Sequence, residues 1–194
     1  MPVIRDIVYE KMGIKKTKHY IETGIYRGDG IRNVEKHYEN VHGIELSEKW
    51  YQFNVEQFKN ESHIHFYLGD SKKVLPELLN TIQEPCTIFL DAHFSGKYTA
   101  CGDEESPLLF ELEILKNRPF DDIIIIDDCR LLGKAGQCGA SIDHPIYPLM
   151  YYDWRDITEE RIYNLMKKDY ILLKNTRSEL IEGPEDQFIL MKKN

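Results

Sequence analysis

Cysteine is scarce in this sequence, and so is positive charge. Only Cys86, Cys101, Cys129 and Cys138 occur in 194 residues, and none forms a CxxC pair. That argues against a disulfide-stapled scaffold and predicts free thiols in a reducing compartment. A zinc site built from Cys101, Cys129, Cys138 and His144 would have a spacing that matches no familiar pattern. Lys and Arg number 25 against 33 Asp and Glu, a net charge of −8. The deficit counts against a nucleic-acid binder, which needs cations to displace counterions from phosphate, and against docking on anionic membrane. No apolar run approaches the ~20 residues of a membrane span. Met1–Lys18 is charged throughout and has no apolar signal core. The expectation is a cytoplasmic protein. Internal repeats, low-complexity tracts and Pro/Ser-rich linkers are also missing, so residues 1–194 read as one domain, with 1–17 as an N-terminal helical extension.

What is present is an alternation of short apolar runs with helical patterns. Strands are predicted at His19–Thr23, Val41–Leu46, Ile64–Leu68, Thr87–Leu90 and Ile123–Ile126. Helical segments fall at Asp29–Tyr38, Ser47–Lys59, Lys72–Asn80 and Pro107–Lys116. Ser47 suits an N-cap, because its hydroxyl can accept an orphan backbone N–H. His63 and His65, either side of Ile64, read as one face of an edge strand. Alternation of this kind implies βαβ units and a largely parallel sheet. The tail differs: a helix at Thr158–Lys168 precedes strands at Tyr170–Lys174 and Gln187–Lys192, with Gly183-Pro184 as a turn signal between them. So short a return joins antiparallel neighbours. The expected architecture is α/β and Rossmann-like: a seven-stranded, mostly parallel sheet, helices on both faces and an antiparallel C-terminal strand. Residues 92–106 and 129–156 lack periodicity and read as substrate-side loops.

Ligands of open α/β sheets bind beyond the carboxyl ends of the strands. The first predicted strand ends in Glu22-Thr23-Gly24, followed by Ile25-Tyr26-Arg27-Gly28-Asp29-Gly30. The second ends near Glu45, the third in Gly69-Asp70-Ser71, the fourth in Asp91-Ala92-His93 and the fifth in Asp127-Asp128. A carboxylate at Glu45 can accept two hydrogen bonds from a ribose diol. The glycine spacing is neither a G-x-G-x-x-G fingerprint nor a P-loop. Taken alone, that turn is as well explained by structure as by ligand binding. Five acidic strand ends in succession are harder to assign to solvated loops.

The ordered set of Glu22-x-Gly24-x-x-x-Gly28-x-Gly30, Glu45, Gly69-Asp70-Ser71 and Asp91 resembles the successive motifs of class I S-adenosylmethionine-dependent methyltransferases. The likeness runs from about Tyr20 to the C-terminus. It implies that Glu22, Gly24 and Gly28 shape the pocket for the methionine moiety, with Thr23, Tyr26 and Arg27 also binding the cofactor. Glu45 would hold the ribose hydroxyls, Asp70 and Ser71 would lie near the adenine, and Leu46 and Asp91 would complete the cofactor site. Position 30 is often Ser or Thr in related O-methyltransferases, and Gly30 removes that hydroxyl. Asp91 with Asp127 and Asp128 is similar to the metal site of macrocin-type sugar O-methyltransferases. That implies Mg²⁺ held by three carboxylates, which would otherwise repel one another. His93 is then the first candidate for the base, and Asp91 the second.

The loops supply Phe94, Tyr98, Arg130, Tyr152 and Trp154, besides His93, as candidate substrate contacts. Aromatic faces among polar groups suit sugar rings, although Tyr151, Tyr152 and Trp154 fit a packing cluster equally well. The stretch Asp91–Gly96 and the stretch from Asp127–Gly133 to Asp153-Trp154 resemble glycan-modifying methyltransferases, virus-encoded ones included. The expectation is O-methylation of a sugar hydroxyl on a small-molecule or glycan acceptor, with neither nucleic acid nor membrane as partner. A homodimer is compatible with it. Rival readings are a phenol or catechol O-methyltransferase, a non-catalytic nucleotide-binding module and a dinucleotide oxidoreductase.

Overall fold

The computed structural model describes residues 3–4, 13, 15–94, 99–138, 150–175, 181–182 and 186–193. Its centre is a seven-stranded sheet. In chain order the strands are β2 (His19–Thr23), β3 (Asn40–Glu45), β4 (Ile64–Leu68), β5 (Cys86–Leu90), β6 (Ile123–Ile126), β9 (Tyr170–Lys174) and β11 (Phe188–Lys192). Across the sheet they run β4-β3-β2-β5-β6-β11-β9. The pairs among β4, β3, β2, β5 and β6 are parallel, whereas β11 lies antiparallel to both β6 and β9. The antiparallel C-terminal strand is thus where the sequence predicts it, and β4 is an edge strand as expected. Order reverses between β2 and β5, because the chain builds outward through β3 and β4 before returning. That is the point at which such sheets bind ligands.

Among the described residues five helices cover the sheet: α1 (Asp29–Val34), α2 (Glu48–Gln57), α3 (Ser71–Thr81), α4 (Leu108–Leu115) and α5 (Glu159–Met166). Ile123–Ile126 shows why both faces are needed. Ile124 and Ile126 join the core with Leu75, Leu112 and Ile162 from α3, α4 and α5. Ile123 and Ile125 join the opposite core, with Ile31 and Val34 of α1 and Phe58 just beyond α2. An uninterrupted apolar strand has no polar face to give to water, so it must be covered twice. At the amino end of the sheet Arg118 is buried and ties three elements together. Its guanidinium donates to Asp122 at 2.7 Å and to the carbonyls of Leu79 and Glu84 at 3.0 and 3.1 Å. Asp122 in turn accepts from the Cys86 N–H at 2.9 Å.

Three features depart from the sequence expectation. The segment 129–156 is not irregular throughout, because β7 (Ala135–Cys138) and β8 (Met150–Asp153) form an antiparallel pair. Val3–Ile4 (β1) pairs antiparallel with Ile181–Glu182 (β10), a strand at a place read as helical extension. The rest of 1–17, apart from residues 13 and 15–17, lies outside the described residues, as do His144, Tyr98 and Gly183-Pro184. Ser47 precedes α2 without a side-chain cap. Its backbone N–H instead donates to Glu45 Oε1 at 2.8 Å, so the carboxylate serves a different donor at this helix start. Among the described residues no helix is long and apolar enough to cross a membrane.

Candidate functional site

The hydrogen-bond ladder continues one residue past each central strand. Gly24 N–H donates to the Ile44 carbonyl, Gly69 to Glu45, Asp91 to Thr23 and Asp127 to Leu90. All four strand ends are therefore held level at one edge. A cavity of about 480 Å³ opens there, within the usual range of small-molecule sites. Of the expected cofactor residues, Gly24, Tyr26, Arg27, Glu45, Leu46, Asp70, Ser71 and Asp91 line it. Glu22, Thr23 and Gly28 do not; they lie behind the wall, 2% exposed or less for Glu22 and Thr23.

Why the glycine loop has its sequence follows from contacts. Gly24 has φ +76°, and a Cβ there would sit 2.7 Å from the Asp91 carbonyl oxygen. A side chain would push β2 away from the end of β5, where the cavity opens. Gly30 answers to a different contact: a Cβ would lie 2.3 Å from Glu22 Oε1. The glycine is therefore not a missing hydroxyl contact, since Ser or Thr has no room over this carboxylate. Glu22 is buried and accepts from the Tyr20 hydroxyl at 2.8 Å. Burial pushes it up to about 8, opposed by the Tyr20 hydrogen bond and reinforced by Asp127.

Tyr26 carries the strain of the loop, with φ 46° in a non-glycine residue. Three contacts hold it there. Its N–H donates to Glu45 Oε2 at 2.8 Å, its carbonyl accepts from Asn54 Nδ2 at 2.7 Å, and its ring packs on Trp50 with centroids 4.5 Å apart. Asn54 is fully buried in α2 and went unnoticed in the sequence, where one Asn in an amphipathic helix carries no signal. Glu45 is thus fixed by two backbone N–H groups, from Tyr26 and Ser47, with lone pairs left over on both oxygens. Burial raises its pKa while these bonds lower it. Asp70, beyond β4, caps α3 by accepting from the Lys72 N–H at 2.9 Å.

At the other end of the cavity the acidic cluster differs from the expected one. One ligand atom each from Asp91, His93 and Asp128 come within 4.8 Å of one another. Asp127 is turned aside, and its Oδ1 accepts from Gln187 Nε2 at 3.0 Å. Consecutive side chains at a strand end point to opposite faces, and Asp128 itself has φ 55°. His93 Nδ1 lies 3.1 Å from the Asp91 carbonyl oxygen, and Nε2 3.1 Å from Asp128 Oδ2. A neutral ring carries one N–H and two acceptors face it, so this cluster needs a further proton or a cation. Burial, followed by the charges of Asp127, Glu22 and Asp128, raises Asp91 well above the usual carboxylate range. The donor set fits a divalent ion: two hard carboxylate oxygens with one imidazole nitrogen, a mixture that suits Mn²⁺ or Fe²⁺ better than Mg²⁺. Among the described residues no cysteine joins such a group; Cys101 is exposed and Cys129 half-buried.

Phe94, Arg130, Tyr152 and Trp154 also reach the cavity wall. Trp154 is buried and meets His93 edge-on at 5.8 Å, whereas Tyr151 points away, 70% exposed. Arg130 pairs with Asp128 and with Asp186. Glu105, missed in the sequence, fastens the hairpin over this end: its carbonyl accepts from the Phe94 N–H at 2.7 Å and its carboxylate from the Asp153 N–H at 2.9 Å.

No protein-family model and no curated protein matches the sequence. Solved structures do match over nearly the whole chain. An S-adenosylmethionine-dependent methyltransferase from Clostridium acetobutylicum superposes with a TM-score of 0.53 at 14% identity, covering 90% of this chain and 83% of that one. An rRNA methylase from Streptococcus thermophilus gives 0.55 at 12%, covering 97% and 93%. The fold is that of S-adenosylmethionine-dependent methyltransferases. A Streptococcus mutans protein solved with S-adenosylhomocysteine superposes at 0.53 and 12% identity, covering 98% and 99%. The N-methyltransferase NodS from Bradyrhizobium japonicum gives 0.51 at 11%, covering 91% and 85%. The same fold is thus shared by an rRNA methylase and an N-methyltransferase.

Proposed function

We propose that the protein transfers a methyl group from S-adenosylmethionine to a hydroxyl of a sugar, as a free (deoxy)sugar or at a glycan terminus. One observation carries the reading. A single cavity at the switch point holds an oriented diol acceptor, Glu45, at one end and the Asp91–His93–Asp128 cluster at the other. Glu45 would bind the ribose hydroxyls, and Leu46, Asp70 and Ser71 the adenine side. Tyr26 and Arg27 would face the methionine portion. The acceptor would lie against Phe94, Tyr152 and Trp154, with its hydroxyl toward Asp91. A sulfonium methyl needs little activation, but a neutral sugar hydroxyl is a poor nucleophile. In the transfer the hydroxyl oxygen displaces the thioether sulfur at the methyl carbon, and the hydroxyl proton passes to Asp91. A half-buried carboxylate whose proton affinity is raised by desolvation and by its acidic neighbours is a fitting base for that step. His93 would be anchored by Nδ1 on the Asp91 backbone carbonyl, with Nε2 facing the Asp128 carboxylate. A divalent cation held by Asp91, His93 and Asp128 would lower the pKa of a hydroxyl bound to it.

Charge favours a neutral acceptor over a nucleic acid. Asp29, Asp70, Asp103, Glu104 and Glu105 add to the two aspartates of the cluster, against Arg27, Lys72 and Arg130. A phosphate backbone would be repelled there. The test is methyl transfer from labelled cofactor to a panel of sugars, catechols and RNA, with and without EDTA. Label in the sugars, lost with EDTA, is the expected result. Label in catechols alone would replace the acceptor. Label in none of them, with S-adenosylhomocysteine still bound, would favour a non-catalytic module.

A further inference from the structure

Next to the large cavity lies a much smaller void of about 10 Å³, whose wall includes Ser106, Glu111, Asp127, Asp91, His93 and Trp154. It is the size of one water molecule and no larger. Glu111 stands in the first turn of α4 and is completely buried. Neither of its carboxylate oxygens makes a hydrogen bond of acceptable geometry. A buried carboxylate without a partner is expensive, and native structures answer that cost with a water or a proton. Burial pushes Glu111 up to about 7, although the nearby Ser71 and Thr23 hydroxyls pull the other way. The void is polar on several sides, as a water needs, since water requires two to four partners. It also touches the two residues on which the proposed transfer depends.

We infer that this void binds one water molecule, held by Glu111 and Ser106, and that Glu111 positions the Asp91–His93 pair through it. The protonated Glu111 carboxyl donates a hydrogen bond to the water, and the water donates one onward to the Asp91 or Asp127 carboxylate. Glu111 touches neither cofactor nor acceptor, so it is a positioning residue. The water site stands by itself; its effect on rate rests on the methyl-transfer reading above.

The experiment compares the wild-type chain with Glu111→Gln and Glu111→Leu. Crystal structures read the occupancy of the void, calorimetry reads S-adenosylhomocysteine affinity, and kinetics read kcat and KM separately. An ordered water is expected in the wild type and in Glu111→Gln, and none in Glu111→Leu. kcat should fall at least about tenfold in Glu111→Leu, as for other outer positioning partners, and recover in Glu111→Gln, with KM and cofactor affinity unchanged. Melting curves check that the Leu variant is folded. A dry void in the wild type overturns the water site whatever the activity. An occupied void with undiminished kcat in Glu111→Leu overturns the positioning role. If no acceptor is ever methylated, the occupancies still decide the water site and the failure belongs to the proposed reaction.

Discussion

His93 Nε2 lies 3.1 Å from Asp128 Oδ2, while the neighbouring Asp127 carboxylate is bonded to Gln187 instead. Two adjacent aspartates at one strand end therefore have different roles. The metal prediction follows from that division. The wild-type chain should take up one Mn²⁺, followed by calorimetry or by its electron spin resonance signal. Asp128→Asn and His93→Gln should each weaken uptake by at least about tenfold. Asp127→Asn, which can still accept from Gln187, should leave it nearly unchanged. A loss in Asp127→Asn as large as in Asp128→Asn would contradict the assignment.

Gly30 should not tolerate a side chain. Gly30→Ala puts a methyl against the buried Glu22 carboxylate, and overpacking of this kind costs about 1–3 kcal/mol. Thermal melts should show a fall of roughly 2–4 °C for each kcal/mol lost in a chain of this size. Gly30→Ser should fare no better. A Ser variant as stable as wild type would mean that the contact with Glu22 is not the reason for the glycine.

Stability should fall as the solution becomes alkaline. Glu22 is raised from 4.5 to about 8, so the folded chain binds a proton that the unfolded chain has released between those values. Its contribution is fully present below about pH 4.5 and is lost as pH rises through about 8, with a slope of up to about 1.4 kcal/mol per pH unit. Asp91, Asp127 and Glu111 are also raised and act in the same direction. Denaturant melts from pH 5 to 9 should show a shallower decline for Glu22→Gln than for wild type. Parallel curves would exclude Glu22 as a contributor.

Much of this was legible because a parallel sheet sends every carboxyl end to one edge. Runs such as Ile64–Leu68 and Thr87–Leu90 fix the strands, and the residues just after them, Asp70 and Asp91, then have to face the same cavity. The hairpin of Ala135–Cys138 and Met150–Asp153 was not legible, since Ala-Gly-Gln-Cys has no alternating pattern and its partner lies far along the chain. Nor could sequence choose between Asp127 and His93 in the cluster. That choice depends on Gln187, sixty positions from Asp127 and bonded to it, which nothing local announces. Gly30 misled for the opposite reason: its contact is with Glu22, eight positions earlier, and nothing local reveals it.

Glu45 offers a graded test of the cofactor end. Its carboxylate is held in place by the Tyr26 and Ser47 N–H groups. Glu45→Ala strands both donors and removes the diol partner, a loss of about 1–3 kcal/mol. The Kd for S-adenosylhomocysteine should rise roughly 5- to 150-fold. An unchanged Kd would move the ribose elsewhere.

The central claim is that the cavity between Glu45 and Asp91 is a site for S-adenosylmethionine. Calorimetric titration of the purified chain with S-adenosylhomocysteine, set beside NAD, tests it most directly. The account predicts saturable binding of one S-adenosylhomocysteine per chain and no response to NAD. Tight NAD binding with no response to S-adenosylhomocysteine would contradict it.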